Sequence, residues 1–286
     1  MHIDQTIYRE LYISLLNNGD NHIYNDILLP WLARAEKEKI WLAEFSNREG
    51  KPYPDATIED LWRLYALSRI SDICLLKFQP FTQVETYDNA SWEMDITLSQ
   101  YSEFFESLGL YIKNYNTFHP FFHEIVKVEE THDVDAPITI VETLWDCMML
   151  GDMMFSRAGV IVQGGKNFIN KKVVESSKLY WTYLRRYKPY NDLSHGWGSN
   201  SQWRTEFRRD YLTDGYFYYN VDAMNESDFS TGLDLTDENV LQDELDGVPI
   251  NQLEKIELLR NRCLIHAQVE SEYDFYPYNY FFKESI

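Results

Sequence analysis

The spacing of apolar residues changes near residue 118, and this change constrains the fold more than any other feature of the chain. Before it, apolar side chains recur every three or four residues, as Ile3, Ile7, Leu11 and Leu15 do. After it, they gather in short runs of β-branched and aromatic residues. The first pattern is typical of amphipathic helices and the second of strands. The sequence therefore predicts an α+β protein.

Four helices are predicted in the first part of the chain. They cover residues 3–16, 26–45, 58–79 and 94–108. The third begins at a capping-box pattern, Thr57 followed by Asp60, and ends at Pro80. Four helices with short connections can share one core, so we predict an all-helical unit over residues 1–112.

Strands and helices are both predicted in the remainder, residues 113–286. The strands fall at 125–128, 159–163 and 216–221, and the helices at 138–149, 173–186 and 252–268. We expect a mostly helical α+β protein in which the helical unit packs with a unit containing a small β-sheet. One compact body formed by both units is an alternative that the sequence leaves open.

Composition favours a folded protein despite strong acidity. The chain has 286 residues, 44% of them hydrophobic and 16% aromatic, with a formal net charge of −20. It lacks a secretory signal pattern and any apolar run long enough to cross a bilayer, so we expect a soluble, cytoplasmic protein without a membrane partner. Three well-separated cysteines in apolar stretches are typical of buried thiols in a reducing compartment: Cys74, Cys147 and Cys263.

Charge is distributed unevenly along the chain. Residues 157–209 carry eleven basic and three acidic side chains, whereas residues 210–254 carry twelve acidic side chains and no lysine or arginine. Pairing between the two blocks across the surface is one interpretation. In the other, the basic block 157–209 contacts an anion such as phosphate or nucleic acid.

The segment from Ser194 to Tyr211 combines glycines, small polar residues, two tryptophans and arginines. Such a composition predicts a loop. The loop either folds back with Trp197 as a plug on the core or offers a recognition surface, because tryptophan and arginine are enriched at interface hot spots. The candidate binding residues are His195, Trp197, Trp203, Arg204 and Arg208.

Two histidines four residues apart, His119 and His123, are the candidate metal ligands. Pro120 and two phenylalanines between them favour instead the entry to a packed strand. No cofactor is predicted, because the phosphate-loop-like run at 159–166 has its second glycine out of register and is followed by Asn167 in place of a hydroxyl.

Near the C-terminus, Arg260 and Asn261 are followed after four residues by His266. This pattern resembles the Arg-polar-x4-His motif of HEPN domains, many of which cleave RNA. The resemblance covers seven residues and implies that Arg260 and His266 form a catalytic pair with Asn261 beside them. Histidine can act as a base and arginine can bind the scissile phosphate. A purely structural helix is the other interpretation.

Together these features favour a protein that works by binding a macromolecule. Strong acidity suits a basic protein partner, such as a nuclease toxin neutralised by an immunity-type inhibitor. An RNA-directed ribonuclease using Arg260, Asn261 and His266 is the alternative, with the basic block as its substrate groove. A metal-dependent enzyme at His119 and His123 comes third. The sequence leaves the oligomeric state open.

Overall fold

The computed structural model describes residues 6–18, 22–80, 94–176, 205–223, 225–226, 252–265, 277–278 and 280–286. Its α-helices are α1 (Thr6–Asn17), α2 (Leu29–Leu32), α3 (Glu36–Ser46), α4 (Ile58–Leu75), α5 (Leu98–Glu106), α6 (Lys171–Ser176) and α7 (Gln252–Asn261), with a π-helix at Tyr24–Leu28 and a 3₁₀ turn at Leu76–Phe78. None of these described helices is both long and apolar enough to span a bilayer.

Ten strands are described, and they complete an α+β fold as predicted. They are β1 (Tyr111–Lys113), β2 (His123–Glu130), β3 (Thr139–Trp145), β4 (Cys147–Leu150), β5 (Met153–Ser156), β6 (Ala158–Gly164), β7 (Asp210–Thr213), β8 (Tyr216–Tyr219), β9 (Asn225–Glu226) and β10 (Tyr280–Ser285). The expectation of a mostly helical protein overstated the helical share, since the strands are more numerous than predicted.

The chain divides into two compact units. The first contains the described residues of Met1–Lys113, Met148–Ser156 and Arg185–Arg208. The second contains those of Asn114–Cys147, Arg157–Leu184 and Arg209–Ile286. The main division follows Lys113, but β5 and most of β4 group with the helices of the first unit.

Helix α4 is the central element of the first unit. Its capping box forms as predicted: Asp60 donates its backbone N–H to the Thr57 hydroxyl, and the Asp60 carboxylate accepts the Thr57 N–H. Nearly every later residue of α4 is buried, including Arg63, whose Nε donates to Glu38 at 3.0 Å. A helix that is buried over most of its surface can carry charges there only when each finds a partner inside.

The continuous helix predicted for residues 26–45 is wrong. The π-helix Tyr24–Leu28 leads into the short α2, and α3 begins only at Glu36. The π-helix passes directly into α2, so Pro30, which has no N–H to donate to the preceding turn, does not end the helical conformation. The interruption lies at residues 33–35, and Ala35, which precedes α3, has non-helical φ and ψ of −89° and 22°.

The helix predicted for residues 138–149 is also wrong, because this stretch forms β3 and β4. Thr139, Ile140, Val141 and Thr143 are all β-branched, and such side chains are better accommodated on a pleated strand than on a helix. Strands were correctly predicted at β2, β6 and β8.

The second unit contains the three-stranded sheet β2-β6-β3. Strand β2 runs parallel to β6, and β3 runs antiparallel to β6 with register shifts after Ile140 and after Thr143. Gly159 on β6 has no side chain, and the Trp145 ring occupies the space that a Cβ there would need. The end of β3 is thereby held close against β6.

One face of this sheet is covered by residues of α6 and of the segment after α7. The resulting core is aliphatic: Ile125, Val128, Val160, Val162, Ile169, Val174, Cys263 and Ile265. A separate group of strands in the same unit has the order β7-β8-β10-β9. The loop between β7 and β8 is a two-residue turn, Asp214 and Gly215, both with positive φ.

Candidate functional site

The loop predicted as a binding surface lies almost wholly outside the described residues. This holds for His195, Trp197, Trp203 and Arg204. Arg208 is described and is half-buried in the first unit. The residue before it, Phe207, donates its N–H to Leu61 O at 3.2 Å and stacks on Phe155. The segment that follows the loop is therefore anchored, and the choice between plug and recognition surface stays a prediction.

The two histidines proposed as metal ligands lie at the start of β2. The His123 side chain is buried, and both its ring nitrogens face backbone groups: Nδ1 lies 3.0 Å from His119 O and Nε2 lies 3.0 Å from Tyr115 O. His119 Nδ1 accepts the N–H of Phe121 at 3.2 Å, and its ring lies 4.3 Å from that of Phe217. These contacts are those of the packed strand entry that the sequence favoured over a metal.

Metal binding by these residues finds no further support in the part of the chain that the structure describes. There, no group of three or more histidine, cysteine or carboxylate side chains comes within reach of one ion. Burial lowers the pKa of both histidines, for His119 to about 4. Both rings are therefore neutral at pH 7.

Two of the three HEPN-like residues are described, and both make contacts within the fold. Arg260, in the last turn of α7, binds Glu284 of β10 through two parallel bonds of 2.9 and 2.8 Å. The Asn261 amide donates to Glu257 O, one turn earlier in the same helix. His266 lies outside the described residues. The structure thus shows Arg260 in an ion pair, and the catalytic pair stays a prediction.

Arg260 and His119, which the sequence assigned to different hypotheses, prove to be neighbours. The positive charges of Arg260 and Arg157 add to burial in lowering the His119 pKa. A neutral imidazole beside two guanidinium groups can accept or donate a hydrogen bond, but protonating it would place a third positive charge in the same region.

Asp210, at the start of β7, is the centre of a buried charge cluster that sequence reasoning missed. Its Oδ2 accepts bonds of 2.9 Å from both Arg157 and Arg262, and its Oδ1 accepts the Asn220 N–H at 2.8 Å. The Asp210 and Arg157 side chains are fully buried. Arg262 follows the last residue of α7 with φ of +58°, a conformation more usual for glycine at this place.

Arg209 makes a second ion pair in this region, with Asp222 at 2.6 Å. Arg157 and Arg209 belong to the basic block, and Asp210 and Asp222 to the acidic block, so described members of the two blocks do pair. These pairs lie in the interior of the protein, whereas the sequence predicted pairing across the surface. No local spacing marks these pairs, because their members lie 53 and 13 positions apart along the chain.

The charges of the described residues differ between surface and interior. Of the ten arginines among these residues, only Arg34 is exposed. Over the same residues, seventeen carboxylates and eight lysine or arginine side chains are exposed. The described surface is therefore strongly acidic, while the buried charges, six basic and five acidic, nearly cancel.

A groove of about 520 Å³ lies in the first unit beside α1 and the π-helix. Its floor is apolar, with Leu11 and Trp31, while its rim carries the opposite charges of Asp26 and Arg34. π-Helices often lie near functional sites. The mixed rim of this groove nevertheless favours no single ligand chemistry.

An acidic arm, residues 128–146, is the most one-sided charged surface among the described residues of the second unit. It contains six carboxylates and no lysine or arginine. Five of the six exposed carboxylates described in this unit belong to it: Glu130, Asp133, Asp135, Glu142 and Asp146. The arm includes the whole of β3, which has β6 as its partner among the described strands.

Comparison of the chain with protein families, with curated proteins and with solved structures found no match.

Proposed function

We propose that this protein acts by binding a basic macromolecular partner, most simply another protein. The observation that carries the proposal is the excess of carboxylates on the described surface. Carboxylates outnumber basic side chains there by seventeen to eight, whereas the buried charges of the described residues, five acidic and six basic, nearly cancel.

The physical effect of this excess is a surface field of one sign. An ion pair in the interior, such as Arg157 with Asp210, contributes little to the potential outside, so the excess of exposed carboxylates sets its sign. Such a field attracts a basic partner and speeds its association, with an effect that falls as salt screens it beyond about 8 Å. It repels phosphate groups.

A toxin-neutralising inhibitor of a basic nuclease is the specific form of this function that we propose. A nuclease binds its substrate through a positive surface, and an acidic protein can occupy that surface in place of nucleic acid. The loop with Trp197, Trp203 and Arg204 is the proposed hot spot within the contact, since aromatic and arginine side chains dominate binding energies at interface centres. A cytoplasmic location suits a protein that protects the cell that makes it.

The experiment is a binding panel with probes that differ in charge. Labelled twenty-residue peptides rich in lysine, in glutamate or in glycine and serine, and a single-stranded RNA of twenty nucleotides, are titrated with the full chain at 50 and 500 mM salt. We expect binding of the lysine-rich peptide, weakened at least about tenfold by the higher salt, and no binding or cleavage of the RNA.

Two results would contradict the proposal. One is equal binding of the lysine-rich and glutamate-rich peptides. The other is binding or cleavage of the RNA, which would favour the ribonuclease alternative; loss of that cleavage in His266→Ala would then assign it to the HEPN-like motif.

A further inference from the structure

We infer that the exposed edge of β3 is the docking strand of this protein, and that its occupant is a basic segment in extended conformation that adds to the sheet. The inference rests on the proposed function and names the surface through which it acts. Strand addition is a common mode of peptide recognition, in which main-chain hydrogen bonds supply affinity and side chains supply specificity.

The first argument is the position of β3 in its sheet. In the order β2-β6-β3, the strand lies at the edge and uses one side to pair with β6. Hydrogen bonds of Thr139–Leu144 toward the other side are absent among the described residues. An unpaired edge exposes a row of backbone donors and acceptors that a further strand can bind.

The second argument is the exposure of the strand. Thr139, Val141, Glu142 and Thr143 are all exposed, Val141 to 50%. Strands β2, β5 and β6, by comparison, are mostly or wholly buried. A medium-sized apolar side chain such as Val141, left exposed in an otherwise open edge, provides a contact for a partner side chain.

The third argument is charge, which selects the occupant. Glu142 in β3 and Asp146 directly after it form no ion pair with any described residue, and no lysine or arginine lies within the acidic arm. A second copy of β3 would bring like charges opposite each other, which destabilises strand pairing. A strand carrying lysine or arginine on alternate residues would find the opposite charge there.

Register shifts in β3 add to this selectivity. Between Ile140 and Glu142, and between Thr143 and Trp145, one residue of β3 has no counterpart on β6. Such bulges increase the local twist and disfavour unselective pairing with flat strands. The packing of Trp145 over Gly159 holds the end of β3 in place, so the edge is presented by a fixed strand.

The test uses two peptides of equal charge. One is a ten-residue alternation of lysine and valine; the other has three of its valines replaced by proline, which removes backbone donors and prevents strand pairing. We expect the first peptide to bind the full chain at 50 mM salt at least about tenfold more tightly than the second, since the proline peptide cannot form several of the main-chain hydrogen bonds. In hydrogen exchange, its binding should protect the amides of residues 139–145.

Charge variants locate the contact. Glu142→Gln with Asp146→Asn should weaken binding of the lysine-valine peptide about threefold to tenfold. The matched control, Glu44→Gln with Asp214→Asn, removes two exposed carboxylates elsewhere and should leave the affinity unchanged.

The outcomes separate this inference from the proposed function. If the lysine-valine peptide binds but the proline peptide binds equally well, or protection falls outside β3, or the two double variants behave alike, the β3 edge is wrong while binding of a basic partner stands. If no lysine-containing peptide binds at all, the proposed function fails and this inference fails with it.

Discussion

Replacing Asp210 by asparagine should remove a large part of the stability of the second unit. The change keeps the size of the side chain and one acceptor oxygen but deletes the charge that Arg157 and Arg262 share. Those two guanidinium groups have side-chain exposures of 0% and 10%, so water cannot replace the lost carboxylate. Removing one partner of a buried ion pair costs about 3–5 kcal/mol.

That loss is large against the total free energy of unfolding, which is about 5–15 kcal/mol for a typical domain. Urea titration followed by circular dichroism should show the midpoint falling by about 1–2 M. The control is Asp214→Asn, an exposed carboxylate four residues away in the β7–β8 turn, where asparagine is compatible with the positive φ and the change should stay within about 0.5 kcal/mol.

A second substitution tests the cause. In the Asp210→Asn background, Arg262→Gly removes one of the two guanidinium groups that have lost their carboxylate partner, and it places glycine where φ is +58°. We therefore expect at least about 1 kcal/mol of stability to return. If Asp210→Asn costs no more than Asp214→Asn, or if Arg262→Gly lowers its stability further, the account of Asp210 as the balancing charge of the cluster is refuted.

Four further outcomes are expected. Gly159→Ala would displace the Trp145 ring and cost about 1–3 kcal/mol, seen as a lower midpoint in thermal unfolding; an unchanged midpoint would show that the ring is not tightly held. Burial and the charge of Arg260 lower the pKa of His119 to about 4 in the folded protein. Between pH 6.5 and 4 the folded protein therefore binds fewer protons than the unfolded chain, so its stability should fall as the pH falls through that window. This fall in stability should be smaller in His119→Asn. Thr57→Ala would remove the side-chain cap of α4 and cost about 1 kcal/mol in urea titration, with no effect expected from the exposed Ser99→Ala. The native protein should react with a thiol reagent only at the rate of unfolding, because its free cysteines are all buried: Cys74, Cys147 and Cys263.

Local features were the most predictable from the sequence. Helix α1, the Thr57 capping box and the strands β2, β6 and β8 depend on contacts between residues a few positions apart, and spacing and residue type report those contacts directly. Prediction failed at residues 138–149, where an apolar run after a proline fits both a helix and a strand. The pairing of Thr139–Trp145 with β6 decided between them.

The candidate site was less predictable for a related reason. His119 and Arg260 were both selected from the sequence, but under separate hypotheses, because 140 residues lie between them along the chain and only the fold brings their charges within range of each other. Asp210 was not selected at all. A single aspartate has no neighbouring pattern that distinguishes a buried position from an exposed one.

The sequence by itself determined the α+β class, the net charge of −20 and the division between basic and acidic blocks. It could not determine which charges face the interior. Asp210 meets Arg157 across 53 residues and Arg262 across 52, and such contacts are fixed by sheet order and helix placement rather than by local spacing. Because burying a charge is favourable only beside its partner, the tertiary structure alone decided which arginines are buried and which carboxylates they meet there.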